Sequence, residues 1–156
     1  MEGMKEMYKF SNSIVIPKKL EDIFNLFVEL KVFSIIWDHI LNMEKLSEEP
    51  LGEGTKLRSI MLSDDIELQS TAEIIDFITN KIFTIKSKRG GVQTIYKYSF
   101  EKLDEGTLVQ YLAEVNFDNF QEDLAEQIFE VIKEDDLNHL EKLQNYFTDE
   151  LVCCVS

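Results

Sequence analysis

Cysteine, proline and long apolar runs are scarce in this sequence, and each scarcity excludes a class of protein. The two cysteines, Cys153 and Cys154, are adjacent near the end of the chain, so they form no disulfide framework and predict no metal site. No repeat, low-complexity tract or Pro/Gly/Ser linker is present. No window approaches 18 apolar residues, so no transmembrane helix is predicted.

Positive charge is also scarce, with 16 basic against 30 acidic residues and a net charge of −14. Residues 101–156 alone hold 15 acidic and 3 basic residues. Such a field repels phosphate backbones and anionic membranes, so we expect neither nucleic acid nor a membrane as partner. The opening MEGMKEMYKF lacks the features of a secretory signal, and we expect a cytoplasmic protein.

What the chain does have is enough apolar residues for one core. Apolar residues make up 44% of the 156, and 11 are Phe. We therefore expect a single domain spanning 1–156, with residues 150–156 frayed.

Periodicity predicts an α+β order. Met7 to Ile16 is a predicted strand that Pro17 ends. Helical spacing follows over Leu20 to Leu30, and a second short helix over Val32 to Trp37. Alternating segments separated by turn residues then predict six strands: Ile40 to Leu46, Gly54 to Leu62, Ile66 to Phe77, Ile82 to Lys88, Val92 to Leu103 and Thr107 to Phe117.

A helical period returns in the last segment. Its apolar stripe comprises Leu124, Ile128, Val131, Ile132, Leu140, Leu143 and Phe147. We expect one helix of about 28 residues, capped by Asn119 or Asp118. Such a helix needs a long apolar partner, which the concave face of a six- to seven-stranded antiparallel sheet supplies. The predicted architecture is a helix-grip fold with two short helices after the first strand.

Four segments carry a resemblance to a known superfamily: SIVIPKKLEDIFNLFVEL, Trp37 after the second helix, GEGTKLR at 52–58 and YKYSFEKLDEGTLVQY at 96–111. In this order they resemble the START-like or SRPBCC superfamily, which includes polyketide cyclase-like and lipid-transfer domains. The resemblance covers nearly the whole chain. It implies an apolar ligand cavity between sheet and helix, but no reaction.

Several side chains are candidates for lining that cavity. Tyr96, Tyr98 and Phe100 alternate along one predicted strand and so share one face, and Tyr111 lies on the next strand. The full candidate set is Trp37, Leu57, Arg58, Ser59, Met61, Tyr96, Tyr98, Phe100, Tyr111, Leu124 and Ile128. Arg58 would hold a carboxylate or phosphate if it points inward, although such an arginine is more often solvated. Each member of the set has ordinary core packing or surface exposure as its alternative.

The other polar residues do not indicate a catalytic or metal site. Glu114 is expected to face solvent, and neither His39 nor His139 belongs to a metal-binding or nucleophile motif. No catalytic residue, metal or cofactor is therefore predicted. Lys86, Lys88 and Arg89 form a basic hairpin tip that blunts a sheet edge or docks an acidic partner. The tail at 153–156 formally matches a prenylation pattern but lacks an upstream basic stretch, which disfavours prenylation and leaves open whether the tail is modified.

Three functions remain open from the sequence. The first is a binding module for a small hydrophobic, lipid- or polyketide-like molecule. The second is a cyclase- or dehydratase-type enzyme that uses an acid–base pair in the cavity. The third is a protein-interaction or chaperone co-regulator that acts through its acidic helix surface, and a homodimer or protein partner is open as well.

Overall fold

A computed structural model describes residues 8–155, and the side chains of residues 8–148 within that range. The strands are Tyr8–Ile16 (β1), Ile40–Lys45 (β2), Lys56–Ser63 (β3), Ile66–Ile78 (β4), Ile82–Arg89 (β5), Val92–Leu103 (β6) and Gly106–Phe117 (β7). The helices are Leu20–Val28 (α1), Val32–Ile36 (α2), Glu122–Asp135 (α3) and His139–Val155 (α4). The prenylation-like tail lies outside the described side chains, and the fraying of 150–156 stays a prediction.

One antiparallel sheet of seven strands organises the chain in the order β1-β7-β6-β5-β4-β3-β2. Strands β2 to β7 form a meander, and β1 pairs with β7, so α1 and α2 carry the chain from one edge of the sheet to the other. The register shifts between Ile40 and Asn42 and between Ile74 and Asp76, and such bulges bend a strand and increase its twist. The sheet therefore curves and offers a concave face.

The end of the concave face nearest α1 is filled by aromatic rings. Phe27 of α1 is fully buried, and its ring centroid lies 4.9 Å from that of Tyr98 and 5.0 Å from that of Phe100. Phe33 of α2 and Phe83 of β5 complete this group. These contacts explain the high Phe content, since paired rings add packing energy beyond the area they bury.

The C-terminal segment packs across the same face, but it is not one helix. The prediction of a single helix of about 28 residues is wrong, because the chain leaves helical geometry over 136–138 and begins again at His139. The predicted cap is also wrong: Gln121 is the N-cap of α3, and Asn119 has φ of 60°. Asp and Asn are weak helix formers, which suits the break at Asp135-Asp136-Leu137-Asn138.

Helices α3 and α4 pack on different parts of the domain. In α4, Leu140, Leu143 and Phe147 are buried in the main core, and the Gln144 amide donates to the Val15 carbonyl of β1 at 2.9 Å. In α3 only Ala125 and Phe129 are buried, in a smaller cluster with Val115 and Phe117 of β7. The predicted α+β helix-grip architecture is confirmed, with α4 as the main gripped helix. None of the helices within residues 8–155 is long and apolar enough to cross a membrane.

Gly106 fixes the point where β7 starts beside the end of β1. Its φ is +148°, and a Cβ added there would lie 2.2 Å from the Ile16 carbonyl oxygen and 2.8 Å from Pro17 Cα. We expect Gly106→Ala to lower the free energy of unfolding by at least about 2 kcal/mol, because both neighbours are backbone atoms. Gly52→Ala is the control, since a Cβ at Gly52 meets nothing within 4 Å. Urea unfolding of both variants tests this, and equal stability would contradict it.

Candidate functional site: a buried polar cluster at the helix break

A group of polar and aromatic side chains meets where α3 ends and α4 begins. Asp136 is 3% exposed and His139 is fully buried. Around them lie four aromatic side chains, from the C-cap of α2 and from the sheet. We call this set the Asp136 cluster: Trp37, Tyr96, Tyr98, Tyr111, Asp136 and His139.

The Asp136 carboxylate is the acceptor at the centre of the cluster. Trp37 Nε1 donates to Oδ1 at 2.8 Å, and the Tyr96 hydroxyl donates to Oδ2. The Tyr111 hydroxyl donates to the Asp136 main-chain carbonyl at 3.3 Å. One residue at the helix break is thereby bonded to α2, β6 and β7. Such bonds are needed, because a buried carboxylate without donors costs several kcal/mol.

His139 lies against the tyrosines and has one ring nitrogen unused. Its ring stacks on Tyr111 with centroids 4.4 Å apart, and Nε2 lies 3.4 Å from the Tyr98 hydroxyl. Nδ1 lies 3.9 Å from Asp136 Oδ1, which is too far for a hydrogen bond. It has no hydrogen-bond partner among the described residues. A buried ring nitrogen without a partner is unusual and calls for an explanation.

Strand register brings the three tyrosines together. Tyr96 and Tyr98 share the inward parity of β6, and Tyr111 is the cross-strand partner of Tyr98 on β7. Their rings lie between 5.9 and 6.3 Å apart in all three pairs. Alternation along two paired strands therefore places three hydroxyls opposite the helix break.

These hydroxyls stay protonated far into the alkaline range. Burial raises the pKa of Tyr96 and of Tyr98 well above the usual value of 10, and the Asp136 charge raises both further. Burial and Asp136 raise the pKa of Tyr111 as well. The tyrosines are thus neutral donors at physiological pH, while the cluster also holds a carboxylate acceptor and an imidazole. This set can hydrogen-bond a polar group or transfer a proton to one.

The structure brings most of the predicted lining residues to the concave side. Leu57, Ser59 and Met61 of β3 are buried there, as are Tyr96, Tyr98, Phe100 and Tyr111. Trp37 is partly buried between Phe33, on which its ring stacks, and Asp136. Their role in binding stays a prediction.

Three of the predicted residues lie elsewhere. Arg58 does not point inward: it lies on the opposite parity from Leu57 and Ser59, and it donates to Glu44 from Nε at 2.9 Å and from Nη2 at 2.5 Å. Neighbouring strands β2 and β3 place that carboxylate directly opposite it. Leu124 is 48% exposed on α3, and Ile128 packs on the smaller α3 cluster.

The sequence reasoning missed Asp136 and reached no role for His139, although a signal was present. Both residues fall on the apolar stripe of the last segment, since Asp136 follows Ile132 by four and His139 precedes Leu143 by four. Polar residues at core positions of an amphipathic helix indicate either a break or a buried polar site. Here both occur.

An enclosed apolar cavity stays a prediction. The surface has one depression along Asp123 to Val131 of α3 and another between Pro17 to Asp22 and Lys102 to Gly106. Neither includes a residue of the Asp136 cluster. The part of the chain with described side chains also holds no group of three or more His, Cys, Asp or Glu placed to bind a metal ion.

Comparisons with solved structures find the same architecture. Ara h 8.0201 matches with a TM-score of 0.69 at 13% identity, covering 92% of this chain and 99% of that one. Ginseng major latex-like protein 151 from Panax ginseng matches with a TM-score of 0.65 at 14% identity, covering 91% of this chain and 98% of that one. The di-domain ARO/CYC StfQ from the steffimycin biosynthetic pathway matches with a TM-score of 0.71 at 8% identity, covering 93% of this chain and 52% of that one.

The chain has the START-like, or SRPBCC, fold. The fold expectation from the sequence is thereby confirmed. At these identities the likeness concerns the fold alone, and one fold hosts many functions. No protein-family model matches the sequence, and the comparison with curated proteins gives no match.

Removing the Asp136 side chain should be costly. We expect Asp136→Ala to lower the free energy of unfolding by about 2–5 kcal/mol, because the Tyr96 hydroxyl and Trp37 Nε1 lose their acceptor inside the protein. Asp135→Ala is the matched control, since Asp135 is exposed one residue earlier and should change stability by less than about 0.5 kcal/mol. Chemical unfolding measures both, and equal losses would contradict the role given to Asp136.

Proposed function

We propose that the protein binds a small, largely apolar molecule between the concave face of the sheet and the helix break, with a polar group of that molecule at the Asp136 cluster. The observation that carries this proposal is the convergence on one point of a buried carboxylate, three phenols and an imidazole whose Nδ1 has no hydrogen-bond partner in the described part of the chain. A ligand pocket with apolar walls and a few placed polar groups has this composition.

The energetic cost of the cluster supports a functional reading. Replacing a whole buried ionic group with well-packed apolar residues is often neutral or stabilising, so stability alone does not account for a polar cluster at this place. Ionisable groups buried together are enriched at functional sites. Aromatic and aliphatic side chains surround the cluster, including Phe33, Ile36 and Leu140, and they supply the apolar walls.

The molecule would reach the cluster by displacing α3 or side chains near the break. Helix α3 is the weakly held element, because it buries only Ala125 and Phe129 among its 14 residues. Segments with few buried apolar contacts open at low free-energy cost. The break itself separates α3 from the firmly packed α4, so α3 can move without unseating α4.

An acid–base enzyme is the second candidate, and the cluster also favours it. The sequence offered no convincing acid–base pair, whereas the fold places Asp136 and His139 together with the tyrosine hydroxyls. StfQ, with which the chain shares its fold, is an ARO/CYC of a biosynthetic pathway. This likeness supports a cyclase-type reaction as the second candidate. The third hypothesis, an interaction through the acidic helix surface, has the exposed acidic residues of α3 as its support.

Native mass spectrometry tests the proposal. The protein is incubated with a lipid and metabolite extract, freed of unbound material by gel filtration and weighed without denaturation. We expect an adduct on the wild type and on Asp135→Asn, and at least tenfold less on Asp136→Asn, because that variant loses the charge of the central acceptor.

Two results would contradict binding at the cluster: no adduct on the wild type, or an adduct that Asp136→Asn leaves unchanged. The recovered molecule also separates binding from catalysis. A binding module returns the molecule it was given, whereas an enzyme returns an altered one, and His139→Asn would then return the original.

A further inference from the structure

The concave face stays open at the end away from α1. Along β4, Ala72 and Ile74 are buried, but Leu68, which shares their parity, is 39% exposed. Its cross-strand partner Met61 is buried on β3. The helices therefore leave part of the inner face uncovered, and β5 and β6 continue this face from the open end to Ile85 and Tyr96.

Arg89 projects onto this open end. It continues the inward parity of Phe83 and Ile85 on β5, and its Nη1 lies 3.4 Å from the sulfur of Met61. The charge of Arg89 also reaches His39, because it lowers the pKa of that histidine, second to burial. The guanidinium thus lies over the inner face and is not confined to the hairpin tip.

Arg89 forms no ion pair with any residue whose side chain is described, although the chain carries a net charge of −14. Arg58, by contrast, holds Glu44 with two nitrogens on the outer face. A guanidinium presents a rigid fork of donors that suits a carboxylate. Among the residues with described side chains, the one partner of the Arg89 donors is the weak sulfur acceptor of Met61.

From Arg89 inward, the side chains of this face change from charged to hydroxyl-bearing to aromatic. Ser87 and Thr94 come first, joined by a 2.8 Å hydrogen bond between their hydroxyls, and Tyr96 follows beside Ile85. Arg89 and Ile85 are four residues apart, which is roughly 13 Å along a strand. The Asp136 carboxylate at the inner end repels anions, while Arg89 at the outer end attracts them. An acidic molecule would therefore lie with its charge outward.

We propose that Arg89 is an anion subsite that receives the carboxylate of an amphipathic acid, whose apolar body extends from beside Met61 past Ile85 and Tyr96 toward the Asp136 cluster. This inference rests on the proposed function. A single guanidinium balances one negative charge, and Asp38, Asp135 and Asp136, whose charges act on His39 as that of Arg89 does, disfavour a doubly charged phosphate. The structure thus favours a monocarboxylate over a phosphate ester.

Dodecanoate and its methyl ester form a matched probe pair, because they share the apolar chain and differ in charge. Binding is followed by the fluorescence of Trp37, the sole tryptophan, which lies in the Asp136 cluster. We expect the wild type to bind the acid about ten- to a hundredfold more tightly than the ester. Arg89→Gln should lower the affinity for the acid to that for the ester, while leaving the ester affinity unchanged.

Arg58→Gln is the matched control, since it removes the same charge from the outer face and should keep the preference for the acid. Circular dichroism and thermal unfolding establish that both variants are folded. A preference for the acid that survives Arg89→Gln would overturn the anion subsite and leave the proposed function standing. If the wild type binds neither probe while the native mass measurement still gives an adduct, the amphipathic acid is the wrong class. If both measurements give no binding, the proposed function fails as well.

Discussion

The hydrogen bonds to the Asp136 carboxylate are the interaction on which the rest of this structure depends. They join the end of α2, through Trp37, and the middle of β6, through Tyr96, to the point where the C-terminal segment breaks. A continuous helix would carry Asp136 along the apolar stripe as an unpaired charge. The break instead turns its side chain and its main-chain carbonyl toward donors on the sheet.

The concave face therefore has two regions, one lined by aromatic side chains and one by polar and ionisable side chains. Toward α1 the face is dry and aromatic, with Phe27 at its centre, and it supplies the stability that a small domain needs. Toward the helix break it holds ionisable and hydroxyl groups that are costly to bury. Proteins commonly accept such a cost where function requires it, and the stable aromatic region allows the polar one to be kept.

Much of the fold could be predicted from the sequence, because hydrophobic periodicity and turn residues are properties of short stretches of the chain. The alternation around Tyr96 and Tyr98 and the helical stripe through Leu140 and Leu143 both correspond to observed elements. The break at 136–138 and the outward direction of Arg58 could not be predicted in this way. Each depends on a partner distant in the chain: Tyr96 for Asp136, and the strand carrying Glu44 for Arg58.

The candidate site was harder to predict than the fold for the same reason. Its polar centre combines α2, two strands and a helix break, and no motif marks such a set in sequence. The sequence did group the tyrosines by parity, since neighbouring strands keep that information. It did not show what faces them, because the register of a helix on a sheet is set by packing over the whole interface.

Nitrogen NMR of the His139 ring, with and without the molecule recovered as an adduct, tests the central claim most directly. A His39→Gln variant leaves His139 as the only histidine, which assigns the signals. The account predicts that the Nδ1 resonance shifts on binding, because this buried nitrogen gains a hydrogen-bond partner. Saturating binding that leaves both ring-nitrogen resonances of His139 unchanged would contradict it and would mean that the Asp136 cluster is only a structural joint.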